Sequence, residues 1–333
     1  MRSHPLRPLM AALLIGGVVV AGSMSSAALA ADAEADAHAP GVYGWTLAWS
    51  DEFDGRSGSP ADERHWTYET GGNGWGNQEL QYYTDSTDNA AHDGEGNLVI
   101  TLREVDDPEA ADLDCWYGPC EFTSARLMSK GDVEFAHGRI ETRVKLPDGE
   151  AGIWPAFWGL GGNLHDVGWP RSGEIDIMEY VGKSPEELFG TVHGPGYTGG
   201  DSIGDTYGFG ENIGGEWVTV WVEWEPHSIR WFAQRDGDES VEFFEVTPDD
   251  VPEGEWVFDH PFFFIANMAI GGNFGGPIGD DLTFPQEYVI DYVRVYKPEP
   301  TPEIVPIAIT VGAAALVGAV VLMVVRRRRR SVR

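Results

Sequence analysis

Between Trp45 and Tyr296 the chain has no long stretch of 3.6-residue apolar periodicity; short runs alternate apolar and polar residues instead. "LVITLR" (Leu98–Arg103), "GRIETRVKLP" (Gly138–Pro147), "WVTVWVEWEP" (Trp217–Pro226), "SIRWFAQ" (Ser228–Gln234) and "YVIDYVRVY" (Tyr288–Tyr296) are the clearest. Side chains on a strand point alternately to its two faces, so period-two runs bounded by turn residues predict antiparallel strands. So many at close spacing predict a sandwich or barrel. The 43 glycines and 21 prolines supply the turns. With no internal repeat of 20 to 50 residues, residues 44–298 read as one domain.

The flanks read differently. Residues 1–30 carry Arg2 and Arg7, an apolar run from Met10 to Val20 and a small-residue "ALA" at 28–30, the pattern of a cleaved secretory signal. Residues 31–43 are polar and Ala-rich, a predicted disordered lead-in. Residues 304–325 carry no charge, enough to cross a hydrocarbon core of about 30 Å, and five arginines follow at 326–330. The expectation is a Pro-rich spacer (299–303), a transmembrane helix (304–325) and a basic cytoplasmic tail (326–333), with the domain outside the plasma membrane. No Leu-Pro-x-Thr-Gly pentapeptide precedes the apolar run, so attachment to a cell wall by sortase is not expected.

Eight arginines lie in the two ends and no acid does, so residues 31–303 hold 14 basic against 54 acidic residues, a formal charge of −40. Phosphate backbones are held by Lys and Arg, which excludes a nucleic-acid partner. Repulsion argues equally against an anionic polysaccharide. Acidity with only four lysines suggests a protein that works in high salt; full stability in dilute buffer would remove that idea. Cys115 and Cys120 are the only cysteines, and in an exported chain such a pair predicts a disulfide closing a short loop, a two-Cys metal site lacking further soft ligands nearby.

One strand breaks the pattern. "GEIDIMEYVG" places Glu174, Asp176 and Glu179 among Ile175, Ile177 and Met178. Strict alternation puts Glu174 and Asp176 on one face and sends Glu179 to the other. A β-bulge around Ile177 and Met178 would return Glu179 to the face of the other two. Three acids on one face suit glycoside hydrolysis, in which one carboxylate is nucleophile or base and another is the acid. The middle acid can share a proton and keep one group protonated near neutrality. A calcium site or a solvated acidic face would also collect such residues, although calcium loops are more irregular and richer in Asp and Gly.

"GEIDIMEY" resembles the active-site strand of glycoside hydrolase family 16, and the five-residue step from Glu174 to Glu179 is closer to its laminarinase branch than to its lichenase branch. Further segments carry the resemblance: "LAWSDEFDG" (47–55), "GGNGWGNQELQYYT" (71–84), "TSARLMSKG" (123–131), "GIWPAFWGLG" (152–161), "GTVHGPGY" (190–197), "FFFIANMAIGGNFGG" (262–276) and "FPQEYVIDYVRVY" (284–296). It implies an all-β, concanavalin-like β-jelly-roll sandwich of two antiparallel sheets with the substrate cleft on the concave sheet. Glu174 then matches the nucleophile, Glu179 the acid and base, and Asp176 the middle acid.

A glucan shows apolar ring faces edged with hydroxyls, so its groove needs flat aromatics with amide and guanidinium groups. Trp154 and Trp158, four apart on one strand, share a face and read equally as core residues, but the resemblance makes them cleft platforms; Trp169 is a further candidate. The resemblance also implies that Asn77, Glu79, Arg126 and His193 are polar cleft residues. Phe274 stands where the family often has Trp. Many relatives carry a structural calcium away from the cleft, and Glu52, Gly96 and Asp291 are the matching positions. Catalysis is expected to need no cofactor. The reading is an endo-acting, retaining β-1,3-glucanase, monomeric, acting on β-glucan from a membrane anchor at the extracellular face. Mixed-linkage hydrolysis or transglycosylation is the alternative among enzymes; a non-catalytic glucan sensor and a structural adhesin are the alternatives outside them.

Overall fold

Wherever the sequence alternates, the chain pairs. A computed structural model describes residues 42–129, 133–148 and 150–299. The expected signal peptide, transmembrane helix and basic tail lie outside the described residues, as do 31–41 of the lead-in and 300–303 of the spacer. Among the described residues no helix is long and apolar enough to cross a membrane.

The strands form two large sheets. One runs in the order Val241–Val246, Ser228–Arg235, Trp217–Glu225, Gly138–Lys145, Gln286–Pro298, Leu98–Glu104, Phe122–Ser124 and Gln81–Tyr83. Trp45–Asp51 adds to Gln286–Pro298, and Ala90–His92 to Leu98–Glu104. The second sheet runs Ile203–Gly208, Glu187–His193, Glu174–Glu179, Ile153–Gly161, Phe262–Ile270, Arg126–Ser129 and Trp66–Tyr68, with Glu134–Phe135 beside Phe262–Ile270. The pairings are antiparallel except that of Gln81–Tyr83 with Phe122–Ser124, which is parallel and departs from the all-antiparallel expectation.

Alternation sorts the side chains. In Trp217–Glu225, Val218, Val220, Val222 and Trp224 are buried while Thr219 and Glu223 point away from the core. Gly138–Lys145 pairs on both sides, placing Ile140 opposite Val222 and Val295. From the second sheet Phe157, Ile175, Ile177, Phe264 and Met268 join the same core. Each such side chain stabilises by about 1.5–3 kcal/mol on burial, and Ile140→Ala would forfeit about 2–5 kcal/mol through transfer and cavity terms.

Phe262–Ile270 does not alternate, and it is buried at nearly every position because it is covered on both faces. Core lies on one side; on the other, the polar Asn267 lies buried beneath the residues described next. At one end of the sandwich a two-stranded hairpin, Asp114–Cys115 with Gly118–Pro119, is closed by the expected Cys115–Cys120 disulfide.

Candidate active site

Glu174–Glu179 lies inside the second sheet, between Ile153–Gly161 and Glu187–His193. On one side Asp176 pairs with Thr191 and Glu179 with Phe189, three steps against two. On the other, Asp176 pairs with Trp158 and Met178 with Phe157, two steps against one. Ile177 is therefore the extra residue, at the bulge the sequence called for. Ile175, Ile177 and Met178 are buried in the core, leaving the three acids to the opposite face.

Each acid meets a different neighbour. Trp169 Nε1 donates to Glu174 Oε2 at 2.6 Å. Trp154 Nε1 donates to Glu179 Oε1 at 3.1 Å. His193, paired with Glu174 across the ladder, brings Nε2 to 3.1 Å from Asp176 Oδ2. One polar atom from each of Glu174, Asp176 and His193 lies within 4.8 Å of the others, and two carboxyl groups held this close favour sharing a proton over ionising together.

Burial, then the Asp176 charge, pushes Glu174 up to about 8, with His193, Trp169 and Arg126 opposing. Burial also raises Asp176. Glu179 rises well above the carboxylate range, through burial first, then the charge of Asp176, with that of Glu174 adding to it. Three acids so close cannot all ionise at neutral pH. Glu174, with the shorter indole hydrogen bond, is the better placed to carry charge, and Glu179 to hold a proton.

Beside the acids, the Arg126 guanidinium lies between two indoles, 4.8 Å from the Trp75 ring centroid and 4.7 Å from that of Trp158. Its Nε donates to Glu69 Oε2 at 2.5 Å. Trp158 Nε1 donates to Asn267 Oδ1 (2.7 Å), and Asn267 Nδ2 to the Tyr83 hydroxyl (2.9 Å). That hydroxyl donates to Glu79 Oε2 (3.0 Å), which also takes a bond from Gln81 Nε2 (2.6 Å), while Asn77 accepts the Asn273 N–H at its carbonyl (2.7 Å). Buried polar networks of this kind are stable only when each member is satisfied.

Three expected cleft residues, Arg126, Trp154 and Glu79, sit deeper than a platform or a hydroxyl-binding group would. Trp154 is only 8% exposed, packed edge-on against Phe274 in a small cluster with Val181, Ala269 and Phe189. Its N–H, not its ring face, is what it offers. Glu79 is buried and raised by that burial, an anchor of the network. Trp169, by contrast, is 49% exposed beside Glu174 and stands open to a ligand.

The residues matched to calcium do not fit an ion. Arg294 grips Glu52 with two bonds, Nε at 2.9 Å and Nη2 at 2.6 Å, and Arg143 Nη1 takes Asp291 at 2.5 Å. Gly96 has Asp54 as its neighbour. Both carboxylates are already neutralised by guanidinium groups, which removes the charge a hard cation needs.

The pattern of glycosyl hydrolases family 16 matches residues 77–248. This chain belongs to that family. A beta-glucanase of Rhodothermus marinus is 41% identical to it over 263 residues, covering 76% of this chain and 85% of its own. A glucan endo-1,3-beta-glucosidase of Cryptopygus antarcticus is 37% identical over 269 residues, covering 75% and 91%. Among solved structures, the laminarinase catalytic domain of Thermotoga maritima superposes with a TM-score of 0.67 at 42% identity, over 77% of this chain and 99% of its own.

Within this family 16 domain the sequence reading missed several residues of the site. Trp75 lay in a quoted motif but was not singled out, and the ring it places on Arg126 depends on a loop fold that no periodicity encodes. Gln81, Tyr83 and Asn267 sit on strands where polar residues look like ordinary outward positions. Only pairing reveals that they are buried.

Proposed function

We propose that the chain hydrolyses internal β-1,3-glucosidic bonds of laminarin-type glucans with retention of configuration. The observation that carries this reading is the bulged strand, which puts three carboxylates on one face, beside an open indole and a guanidinium. Glu174 attacks C1 while Glu179 gives its proton to the departing oxygen, breaking the glycosidic bond and forming a glycosyl ester on Glu174. Esterification removes the charge of Glu174, one of the charges that holds Glu179 high. Glu179 then parts with a proton more readily and serves as base, taking one from the water that attacks C1 and frees Glu174. Asp176 takes up or releases the shared proton as Glu174 changes charge. No step calls on a metal or an organic cofactor.

The β-1,3 linkage is supported by the names of the relatives, the Cryptopygus antarcticus glucosidase and the Thermotoga maritima laminarinase. Export and anchoring rest on residues 1–30 and 304–325 of the sequence alone; release of the domain from intact cells by external protease tests them. For the chemistry, proton NMR of laminarin digestion follows the anomeric signal of new reducing ends. Early appearance of the β-anomer, absent with Glu174→Gln, supports the reading; the α-anomer first, or no new ends, sinks it.

A further inference from the structure

The bulge at Ile177 is held from the far side of the core. Trp231 belongs to Ser228–Arg235 of the other sheet, is wholly buried, and sends its indole N–H across the sandwich to the Asp176 carbonyl at 2.9 Å. That carbonyl belongs to the peptide joining Asp176 to Ile177, where the register slips on both sides of the strand. Among buried groups a polar atom without a partner is costly, so a carbonyl at an irregular step needs a donor.

The donor's access is built into a neighbouring strand. Gly190 lies beside Trp231, and a Cβ added there would come 2.5 Å from Cδ1 and 2.9 Å from Nε1 of the indole. This glycine is not among those with positive φ, so space and not backbone freedom accounts for it. Phe244, its ring centroid 4.8 Å from that of Trp231, supports the indole from its own sheet.

We infer that Trp231 is a positioning residue for catalysis, its indole N–H fixing the bulge and thereby the spacing of Glu174 from Glu179, with Gly190 as the slot that lets it reach. The inference rests on the glucanase reading above. The Trp231 N–H bonds to backbone and not to an acid side chain. It acts on the peptide between the two reactive carboxylates. A bulge free to migrate by one residue turns Glu179 toward the core, since side chains alternate at each step. Small misplacements of reacting groups are expensive, on the order of 100-fold for about 1 Å.

The test uses the full chain with Trp231→Phe, which keeps an aromatic ring but removes the N–H, and a second form with benzothienylalanine at 231, which replaces N–H by sulfur at nearly constant shape. Laminarin hydrolysis by the unaltered protein is measured beside them, so an inactive parent would count against the glucanase reading itself. With an active parent, kcat is expected to fall about 10- to 100-fold in both forms with KM changed less than about twofold, and the alkaline limb of the pH profile to move. Gly190→Ala should give the same loss, and combining it with Trp231→Phe should add nothing, because both remove one bond. Phe244→Leu, which loosens the same packing and spares the bond, should lower the melting temperature and leave kcat and the pH profile in place. An unchanged kcat in the benzothienylalanine form, or an equal kcat loss in Phe244→Leu, would overturn the inference.

Discussion

Trp154 and Glu179 meet through a single hydrogen bond, indole N–H to carboxylate, with the indole ring packed edge-on against Phe274. The bond favours the charged form of Glu179, the form needed as base in the second half of the reaction. Trp154→Phe should therefore raise the affinity of Glu179 for its proton further. The expected outcome is an alkaline limb displaced upward and, with an activated aryl glucoside, accumulation of the glycosyl enzyme as a burst before a slower steady state. Stopped-flow release of the aryl alcohol reads both.

The leaving group provides a second check. Without the proton from Glu179, a sugar hydroxyl leaves poorly while an acidic phenol leaves unaided. Glu179→Gln should lose about 100- to 10,000-fold in rate on laminarin, and much less on a dinitrophenyl glucoside. Equal losses on both substrates would remove Glu179 from the acid role.

Stability and pH are coupled through the same cluster. Glu174 is raised from 4.5 to about 8 in the folded state. Between those values the folded protein holds protons that the unfolded chain has released, so the stability these groups contribute is present at low pH and lost as pH climbs through about 8. Glu174→Gln deletes one charge from the cluster. Its melting temperature should exceed the parent's at pH 8 and approach it near pH 4. A parent that gains stability over the same climb relative to the variant would contradict a Glu174 raised by burial.

Away from the cleft, Glu52 and Arg294 form a pair whose members are 15% and 7% exposed in their side chains. Burial works against the Arg294 charge, and the bonds to Glu52 restore it. Removing one partner strands the other's charge in the interior, so Glu52→Gln should cost about 3–5 kcal/mol in urea unfolding. A chelator such as EDTA should leave the parent's unfolding midpoint where it was. A large drop on chelation would return Glu52 and Asp291 to the role of calcium ligands.

The strands were legible because alternation is a local property. Leu98–Glu104, Gly138–Lys145, Trp217–Glu225, Ser228–Arg235 and Gln286–Pro298 fall within two or so residues of the runs that announced them. The bulge was legible too, since Glu179 could join Glu174 and Asp176 in no other way. What stayed hidden was partnership at a distance. Nothing in "EFDG" announces that Glu52 spends its charge on Arg294, 242 positions on. Nothing in "SIRWFAQ" distinguishes Trp231, which reaches the acid strand, from an ordinary core indole. Depth was equally invisible: the spacing of Trp154 from Trp158 fixed their shared face, whereas packing by Phe274 and Val181 decided that one of them would be buried.

The chain of bonds from Trp158 through Asn267 and Tyr83 to Glu79 joins two sheets and a loop that are distant in sequence. For anyone wishing to redirect this protein to another polysaccharide, the cleft wall is consequently one unit of inheritance. Replacing Trp158 alone leaves the Asn267 amide oxygen short of its donor, and Asn267 is what orients the phenol that holds the buried acid. A new wall has to be brought in whole, as a matched block grafted from a relative.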